Sequence, residues 1–398
     1  MVFYLIIKKE VIMKKVLPFN FQKLLTSKFT AFAVIVLITA ALFTSCKKVY
    51  SPSCKDDDFT KGKNNTITVH QGGSIQAAID AAAPGTVILI EPGTYNGEIE
   101  INKANIQLIG KTCFAFEKVI IQNAGDEDCG IMVHKGGDGF VLKNVTVRDF
   151  SENGVYLEYV DNFLLSNITA VNCKEYGLYP VHCTHGVIEY CSATGSADTG
   201  IYVGQSENVA MQYNTAYGNV NGIEIENCSN IIAFKNHSYD NVSGILIVLL
   251  PGLIVKSSSN VEIKDNNIEN NNHLNFAEPG AGFEGLVPSG AGILLVGVDN
   301  VTIEKNKISN NNFTGIATVS TVILGALGGI PPEAFADIEP TVDGAKIINN
   351  TLVNNGSAPP VGLPLPGVDL LWDGNGTNNC WKNNIHSSEY PYPLPACN

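Results

Sequence analysis

Arginine is almost absent from this chain of 398 residues, since Arg148 is the only one. Sites that hold phosphate or carboxylate groups between several arginines are therefore excluded. Charged residues make up only 16 % of the chain, and 38 acidic residues against 25 basic ones give a formal net charge of −13. Nucleic acids and anionic membrane surfaces select basic proteins, so we expect neither as a partner. Yet 45 % of the residues are hydrophobic, which is too many for a disordered chain.

The N-terminal region has the features of an export signal. Basic residues precede an apolar run at residues 29–43, which is about 15 residues long, whereas a membrane span needs about 20. The run ends in Leu42-Phe43-Thr44-Ser45-Cys46, which resembles a bacterial lipobox. We predict a lipoprotein signal peptide over residues 1–45 and lipidation of Cys46, so that the protein meets the membrane of the cell envelope only through its lipid anchor. A plain transmembrane anchor is the alternative.

Residues 46–65 have little apolar periodicity and are expected to form a solvated tether. Six lysines and Glu10 lie in residues 1–45, so cleavage would leave 19 basic and 37 acidic residues and a net charge of −18.

A repeat of 22 to 24 residues determines the predicted fold. Each unit begins with Gly and an aliphatic residue, and the starting glycines are Gly130, Gly154, Gly177, Gly200, Gly222 and Gly244. Each unit contains three short strand-like pieces separated by asparagines, such as Asn230, Asn236 and Asn241. Asn tolerates the left-handed backbone of a sharp corner, and stacked Asn amides can hydrogen-bond from coil to coil. We therefore predict an all-β fold, a parallel β-helix with three strands per coil over residues 66–356.

The two ends of the β-helix are expected to be capped. Ser74 can cap a short helix, and Ile75, Ala78, Ile79 and Ala82 fall on one of its faces, so we predict an amphipathic helix that closes the first coil. The Pro-rich residues 357–398 are expected to form an irregular C-terminal cap. Two insertions interrupt the coils, one from about His273 to Ala291 and one from about Val319 to Asp343. They either pack on the side of the β-helix or form the wall of a binding groove.

Several strings resemble known families. The stretch Ser74–Tyr95 looks like the entry to the pectin-lyase-like superfamily of right-handed β-helices. Four strings resemble a family of parallel β-helix repeat-containing lipoproteins: Asp198–Ser206, Gly222–Asn227, Leu250–Leu253, and Trp372-Asp373-Gly374 through Cys380 with Leu394–Cys397. The resemblance covers about residues 74–398. It implies a right-handed β-helix and an exported protein that is often encoded beside a second secreted protein, and it implies no particular activity.

Signatures of the carbohydrate-active members of the superfamily are missing. The hydrolase motifs are absent, and a single Arg cannot supply the pectate lyase pattern. The Asp-Pro-His motif of uronan epimerases is approached by Tyr179-Pro180-Val181-His182, but Tyr179 replaces the Asp and His182 is shifted by one residue. Such a shift turns a side chain to the other face of a strand, so we do not transfer epimerase activity to this chain.

The alternation of each first strand places one set of side chains on the outer face. Counted from the Gly, positions 2 and 4 are mostly apolar and should face inward, so positions 3 and 5 should face outward. Position 3 holds Tyr156, Tyr179, Tyr202 and Glu224, and position 5 includes Glu158, Gly204 and Glu226. Tyrosine rings stack on sugar faces and carboxylates accept hydroxyl protons. We predict an exposed carbohydrate-binding face with Tyr156, Glu158, Tyr179 and Tyr202.

The carboxylates on this face are the candidate catalytic groups. Glu224 and Glu226 are two residues apart, and Asp198 lies at the corner before Gly200, so the three could act as general acids and bases. The alternative is that stacked tyrosines only stabilise the face and that the carboxylates are solvated. We expect no cofactor and no metal; Ca²⁺ on Glu224, Glu226 and Asp198 is the less favoured alternative.

The ten cysteines form no CxxC pair and no spacing typical of zinc or haem sites. Cys380 and Cys397 flank the C-terminal segment, and we expect a disulfide between them, which an oxidising envelope permits. Cys183 and Cys228 occupy equivalent positions two coils apart, about 9–10 Å, which is too far for a bridge. They are predicted to be buried thiols.

The sequence thus predicts an envelope lipoprotein that binds extracellular carbohydrate. It leaves open whether the protein also processes that carbohydrate, as a polysaccharide lyase or a glycoside hydrolase would. The high negative charge favours neutral glycans over polyuronates. The alternative is a non-catalytic scaffold that docks a secreted protein partner through its apolar insertions.

Overall fold

The computed structural model describes residues 65–113 and 116–398, and these form a β-helix of three parallel sheets. The signal peptide, Cys46 and nearly all of the predicted tether lie outside the described residues. Within the described ranges, no helix is long and apolar enough to span a membrane.

Each sheet collects one strand from successive coils. Sheet I has twelve strands: β1 Thr66–Val69, β2 Val87–Ile90, β5 Gln107–Gly110, β8 Val141–Lys143, β11 Leu164–Ser166, β14 Thr184–Glu189, β17 Glu207–Gln212, β20 Ser229–Phe234, β23 Ser259–Lys264, β26 Thr302–Glu304, β29 Lys346–Ile348 and β32 Cys380–Lys382. Sheet II has ten strands: β3 Gly93–Asn96, β6 Val119–Gln122, β9 Thr146–Arg148, β12 Thr169–Val171, β15 Ser192–Thr194, β18 Thr215–Tyr217, β21 His237–Tyr239, β24 Asn267–Glu269, β27 Lys307–Ser309 and β30 Thr351–Val353.

Sheet III contains the strands that follow the repeated glycines. Its eleven strands are β4 Ile99–Ile101, β7 Cys129–Val133, β10 Asn153–Glu158, β13 Leu178–Val181, β16 Thr199–Gly204, β19 Asn221–Glu226, β22 Ser243–Val248, β25 Ala291–Val296, β28 Thr314–Val319, β31 Val368–Trp372 and β33 Glu389–Tyr390. The helices are α1 Ile75–Ala81 and α2 Thr321–Leu327, with 3₁₀ turns at Glu284–Leu286 and Pro332–Phe335.

The predicted parallel β-helix and its N-terminal cap are confirmed. Ser74 caps α1 by accepting a hydrogen bond from the Ala77 backbone N–H at 3.1 Å, and Ile75, Ala78 and Ile79 are buried. The register of sheet III follows the repeat, so that Ile201, Ile223 and Ile245 are direct neighbours on adjacent strands. These inward positions belong to the central apolar core, as alternation predicts.

Asparagine has two structural roles that fall on neighbouring rows. Asn162, Asn167 and Asn172 have positive φ values and turn corners. In later coils, the residue that directly follows a corner residue is an Asn with a buried amide, and these amides stack in two ladders. The first runs through Asn214, Asn236, Asn266, Asn306, Asn350 and Asn384, and the second through Asn219, Asn241, Asn271, Asn311 and Asn355 to Asp369. Both roles were expected of the same asparagines, whereas the structure separates them.

The outer face of sheet III is covered over its C-terminal half. Residues 249–258, the first insertion (residues 273–290), the second insertion (residues 320–343) and residues 356–367 connect the strands there. Apolar side chains of residues 249–258, of the first insertion and of residues 356–367 form a second core against the outward rows of sheet III, for example Leu250, Val287 and Leu363 with Leu246 and Leu294. The second insertion meets this layer through Phe335, whose ring centroid lies 6.4 Å from that of Phe283. The insertions therefore pack on the side of the β-helix.

The C-terminal region continues the coils beyond residue 356. The strands β31, β32 and β33 pair with sheets I and III, so the predicted cap contains further β-helix. Cys380 and Cys397 form a disulfide with an S–S distance of 2.07 Å. Cys183 and Cys228 are free and buried, as predicted.

Candidate functional site

The outward tyrosines of sheet III form a contiguous aromatic surface. The ring centroids of Tyr156 and Tyr179 are 5.2 Å apart, and those of Tyr179 and Tyr202 are 4.8 Å apart. Tyr176, in the turn before β13, stacks on Tyr179 at 4.2 Å with an interplanar angle of 12°. We call the half-buried rings of Tyr156, Tyr176 and Tyr179 the tyrosine platform.

Tyr176 was not among the sequence candidates. It lies directly before Gly177, outside the alternation of the strand, so the position count from the Gly did not reach it. Tyr176 is recognised as part of the platform only because its ring stacks on Tyr179 in the folded structure. The sequence pattern does not show this contact.

The expectation that the whole face is exposed is wrong for three residues. Tyr202 is 3 % exposed, Glu224 1 % and Glu226 8 %. They do point away from the central core, but Glu284 of the first insertion lies against Glu224 and Glu226, and the rings of Tyr176 and Tyr179 contact Tyr202. The sequence could not show the position of Glu284, because the insertion follows the next coil and has no periodicity.

Glu158 lies at the exposed end of the platform. It is half-buried, and it lies two residues from Tyr156 on the same face of β10. Burial, followed by the charge of Glu158, raises the pKa of Tyr156 to about 12, so this hydroxyl stays protonated and can donate. Next to it, Tyr159 stacks on His182 at 4.6 Å and 7°. Burial lowers the pKa of His182, which favours the neutral form of the ring.

The carboxyl groups gather at the other end of the platform. The acid cluster consists of Asp198, Glu224, Glu226 and Glu284, the last of which belongs to the first insertion. Oxygen atoms of Glu224, Glu226 and Glu284 all lie within 4.8 Å of one another. The sequence pattern pointed to the first three residues but not to Glu284, because only the packing of the insertion brings Glu284 to sheet III.

Neutral side chains hold the acid cluster in place. The Tyr202 hydroxyl donates to Glu226 Oε1 at 2.8 Å, and Asn221 Nδ2 donates to Glu224 Oε2 at 3.1 Å. Gly204 makes the first of these contacts possible, because a Cβ atom at residue 204 would lie 1.9 Å from the Tyr202 hydroxyl oxygen. The Tyr202 ring therefore fills the space that the missing side chain of Gly204 leaves beside the carboxylates.

One hydroxyl links two carboxyl groups of the cluster. Thr199 Oγ1 lies 2.5 Å from Glu224 Oε2 and 3.0 Å from Asp198 Oδ1. A hydroxyl has one proton and can donate to only one of the two carboxyls. The other contact is favourable when its carboxyl is protonated and donates to Thr199, so the geometry suits a cluster that holds at least one proton.

Burial and mutual repulsion both raise the pKa values of these carboxyl groups. Burial, and then the charge of a neighbouring carboxylate, raise the pKa values of Asp198 and Glu224 well above their ordinary range. Burial likewise raises the pKa of Glu226 to about 7, although the Tyr202 hydrogen bond opposes it. Among residues 65–113 and 116–398, no basic side chain forms an ion pair with the cluster. Carboxyl groups with pKa values near neutrality can act as general acids.

Access to the cluster is restricted to one edge. Asp198 and Glu284 are partly exposed, whereas Glu224 and Glu226 are covered. The first insertion also meets the loop before Tyr176, where Lys174 Nζ lies 3.1 Å from Glu278 Oε1. The platform is thus a shallow surface bounded on one side by the insertion, with Asp198 and Glu284 at the boundary.

Comparisons with known proteins agree with this architecture. The model of the family described as "Right handed beta helix region" matches residues 99–250 and 249–388. No curated protein matches the sequence. Among solved structures, the A-module of mannuronan C-5 epimerase AlgE6 from Azotobacter vinelandii superposes with a TM-score of 0.56 at 15 % identity, over 81 % of this chain and 92 % of that chain.

Two further structures are similar at the level of fold. DFA-IIIase from Arthrobacter chlorophenolicus A6 without its lid has a TM-score of 0.53 at 12 % identity, over 84 % of this chain and 98 % of that one. Alginate lyase from Paenibacillus sp. str. FPU-7 has a TM-score of 0.50 at 13 % identity, over 73 % of this chain and 98 % of that one. These identities show a shared fold. With the matched family model covering most of the described residues, the chain belongs to the right-handed β-helix family.

Proposed function

We propose that this protein binds carbohydrate on the tyrosine platform. The observation that carries the proposal is the row of stacked, half-buried rings of Tyr156, Tyr176 and Tyr179, flanked by Glu158 at one end and by Asp198 and Glu284 at the other. Aromatic faces pack against the C–H faces of sugar rings, and carboxylates at the margin accept sugar hydroxyl protons.

The fold supports the proposal without specifying the ligand. A mannuronan epimerase and an alginate lyase are built on the same coil architecture. A shared fold does not transfer an activity, so the ligand has to be argued from the platform itself. The excess of acidic over basic residues in the chain would repel polyuronates, which favours neutral glycans.

We also propose that the protein cleaves or otherwise processes the glycan that it binds. Asp198, at the accessible edge, and Glu226 would act as the acid and base, while Glu224 is too deeply buried to touch a polymer and would position them. Glu226 itself becomes accessible only if the first insertion moves. Retained glycan binding together with loss of product in Glu226→Gln is the outcome that supports this chemistry. Unchanged product formation would contradict it.

Binding should depend on Tyr179, whose ring contacts both Tyr156 and Tyr176. We expect Tyr179→Ala to weaken binding by about 10- to 100-fold, because a stacked aromatic contact and its buried area are lost. A glycan array followed by affinity measurement on each hit provides the test. Tyr190→Ala is the matched control, since Tyr190 is also exposed and stacks on Tyr213 at 5.1 Å, but outside the platform. Equal effects of the two substitutions, or no hit on neutral and acidic glycans, would refute the proposal.

Docking of a secreted protein partner is the second candidate. It is favoured by the exposed apolar side chains on the loops over sheet III, notably Leu274 at 85 % exposure and Val361, which is fully exposed. Truncating the insertions would uncover the second core, so Leu274→Ser with Val361→Ser is the better test. A partner that is captured from the envelope by the wild type and lost in this double variant, while glycan binding is absent, would favour docking.

We further propose that the protein is exported and anchored in the cell envelope through a lipid on Cys46. The support is the order of features in the sequence, in which basic residues are followed by an apolar run and then by Leu42–Cys46. Metabolic labelling with a palmitate analogue should label the wild type and leave Cys46→Ser unlabelled. Equal labelling of both would contradict the assignment.

A further inference from the structure

The first insertion meets sheet III through a carboxyl group as well as through apolar side chains. Glu284 begins a short 3₁₀ turn, and its carboxylate lies within 4.8 Å of those of Glu224 and Glu226 on β19. None of the three residues of the turn is fully buried, although Leu286 packs against the second core. The turn therefore has little apolar burial to offset repulsion between the carboxylates.

The two ends of the insertion are held by other contacts. At its start, His273 Nε2 lies 2.9 Å from Asp240 Oδ1, and near its end Val287 is buried in the second core. Between them, Asn275 Nδ2 donates to the backbone oxygens of Glu284 and Val287 at 2.8 and 3.0 Å. A movement of the insertion would thus be local and confined to the residues between His273 and Val287.

The titratable groups that face Glu284 carry no positive charge. They come from three elements: Glu224 and Glu226 on β19, Asp198 before β16, and Glu175 and Tyr176 before β13. Lys174, beside them, pairs with Glu278. In the ranges that the structure describes, no basic side chain forms an ion pair with Glu284.

Bound protons allow these carboxyl groups to stay in contact. Ionised carboxylates repel one another strongly where little water is present and no positive charge compensates. The Thr199 hydroxyl lies 2.5 Å from Glu224 Oε2 and 3.0 Å from Asp198 Oδ1, but it can donate to only one of them. A proton on the other carboxyl makes the second contact a hydrogen bond, and a proton between two carboxyls turns repulsion into attraction.

We propose that the contact of Glu284 with Glu224 and Glu226 is a proton-dependent latch that holds the first insertion against sheet III. When the acid cluster is protonated, the insertion is closed at the margin of the tyrosine platform. When the protons are lost to water, repulsion releases the turn and opens a path from the platform to Glu226. The role of the latch in controlling access rests on the proposed function, whereas the movement of the loop does not.

The direction of the pH dependence follows from the pKa values of the cluster. Burial, and then the charge of Glu175, raise the pKa of Glu284, and burial raises the pKa of Glu226 from its ordinary value of 4.5 to about 7. Opening solvates these groups, so they release protons. The closed state is therefore fully favoured below about pH 4.5 and loses this advantage as the pH rises through about 7. Each proton released changes the opening equilibrium by up to about tenfold per pH unit.

Chymotrypsin measures the opening in the full chain without any glycan. Phe276 and Phe283 lie in the part of the insertion that the latch holds, and a protease needs this segment to leave the surface. The cleavage rate at pH 6 and at pH 9 is divided by that of a synthetic peptide of residues 273–290 at the same pH, which cancels the pH dependence of the protease. We expect this normalised rate to rise by about tenfold or more at pH 9.

Variants identify the groups responsible. Glu284→Gln removes one charge from the latch, so cleavage at pH 9 should be slower than in the wild type by about fivefold or more. Glu226→Gln should act in the same direction. Glu278→Gln, on the exposed side of the same insertion, and Asp240→Asn, which removes the ion pair of His273, should both keep the pH dependence of the wild type.

Three results would overturn the latch. They are equal normalised cleavage of the wild type at pH 6 and pH 9, cleavage of Glu284→Gln at the wild-type rate or faster at pH 9, and loss of the pH dependence in Asp240→Asn, which would assign it to His273. None of these measurements involves a glycan, whereas Tyr179→Ala tests glycan binding alone. The latch and the proposed function can therefore fail independently.

Discussion

Replacing Asn236 by Ala is expected to lower the free energy of unfolding by about 3–6 kcal/mol, because several buried polar groups lose their partners at once. Asn236 Oδ1 accepts hydrogen bonds from the backbone N–H and the Nδ2 of Asn214, each at 3.0 Å. Its Nδ2 donates to Met211 O and to Asn266 Oδ1, both at 3.0 Å. Thermal and urea unfolding of the variant measure the loss.

The matched control is Asn96→Ala. Asn96 is exposed in β3, and its Oδ1 accepts a single hydrogen bond from Gln122 Nε2. We expect a change within about 0.5 kcal/mol there, as for most surface substitutions. Similar losses at the two positions would show that the buried ladder does not stabilise the coils in the way the structure indicates.

Replacing Gly204 by Ala is expected to destabilise the protein by about 2–5 kcal/mol, through overpacking and loss of a buried hydrogen bond. The added Cβ would lie 1.9 Å from the Tyr202 hydroxyl oxygen and 2.3 Å from its Cζ. Tyr202 cannot move aside easily, because Tyr176 and Tyr179 contact its ring and its hydroxyl donates to Glu226. The ring must therefore leave its position, and the Glu226 carboxylate loses its donor.

Gly285→Ala provides the comparison, since a Cβ at that glycine would meet no atom within 4 Å. Its melting temperature should stay within about 1 °C of the wild-type value. A Gly204→Ala protein that melts like the Gly285→Ala protein would mean that Tyr202 is free to rearrange.

The coil architecture could be predicted because it depends on local, repeated information. The recurring Gly-aliphatic pairs set the coil length, the inward Ile223 and Ile225 follow from alternation, and Ser74 marks the start of α1. Each of these features needs only residues within one coil or its immediate neighbour. The same reasoning placed Tyr156 and Tyr179 correctly on the outer face.

The site was less predictable because it depends on contacts between distant segments. Glu284 reaches Glu224 from 60 residues further along the chain, through packing of an irregular loop that no periodicity describes. Glu284 of this loop lies against Glu226, which alternation alone places in solvent and which is 8 % exposed. Tyr176 lies outside the strand, so its stacking on Tyr179 follows only from the shape of a corner.

The location of the bound glycan tests the proposed function most directly. Hydroxyl-radical footprinting of the wild-type chain, with and without a polysaccharide identified on the array, reports which side chains the ligand covers. We expect oxidation of Tyr156, Tyr176 and Tyr179 to fall severalfold in the complex, while Tyr190 and Tyr213 remain as reactive as in the free protein. Protection of Leu274 and Phe276 on the first insertion, with the platform tyrosines unchanged, would contradict carbohydrate binding on the platform.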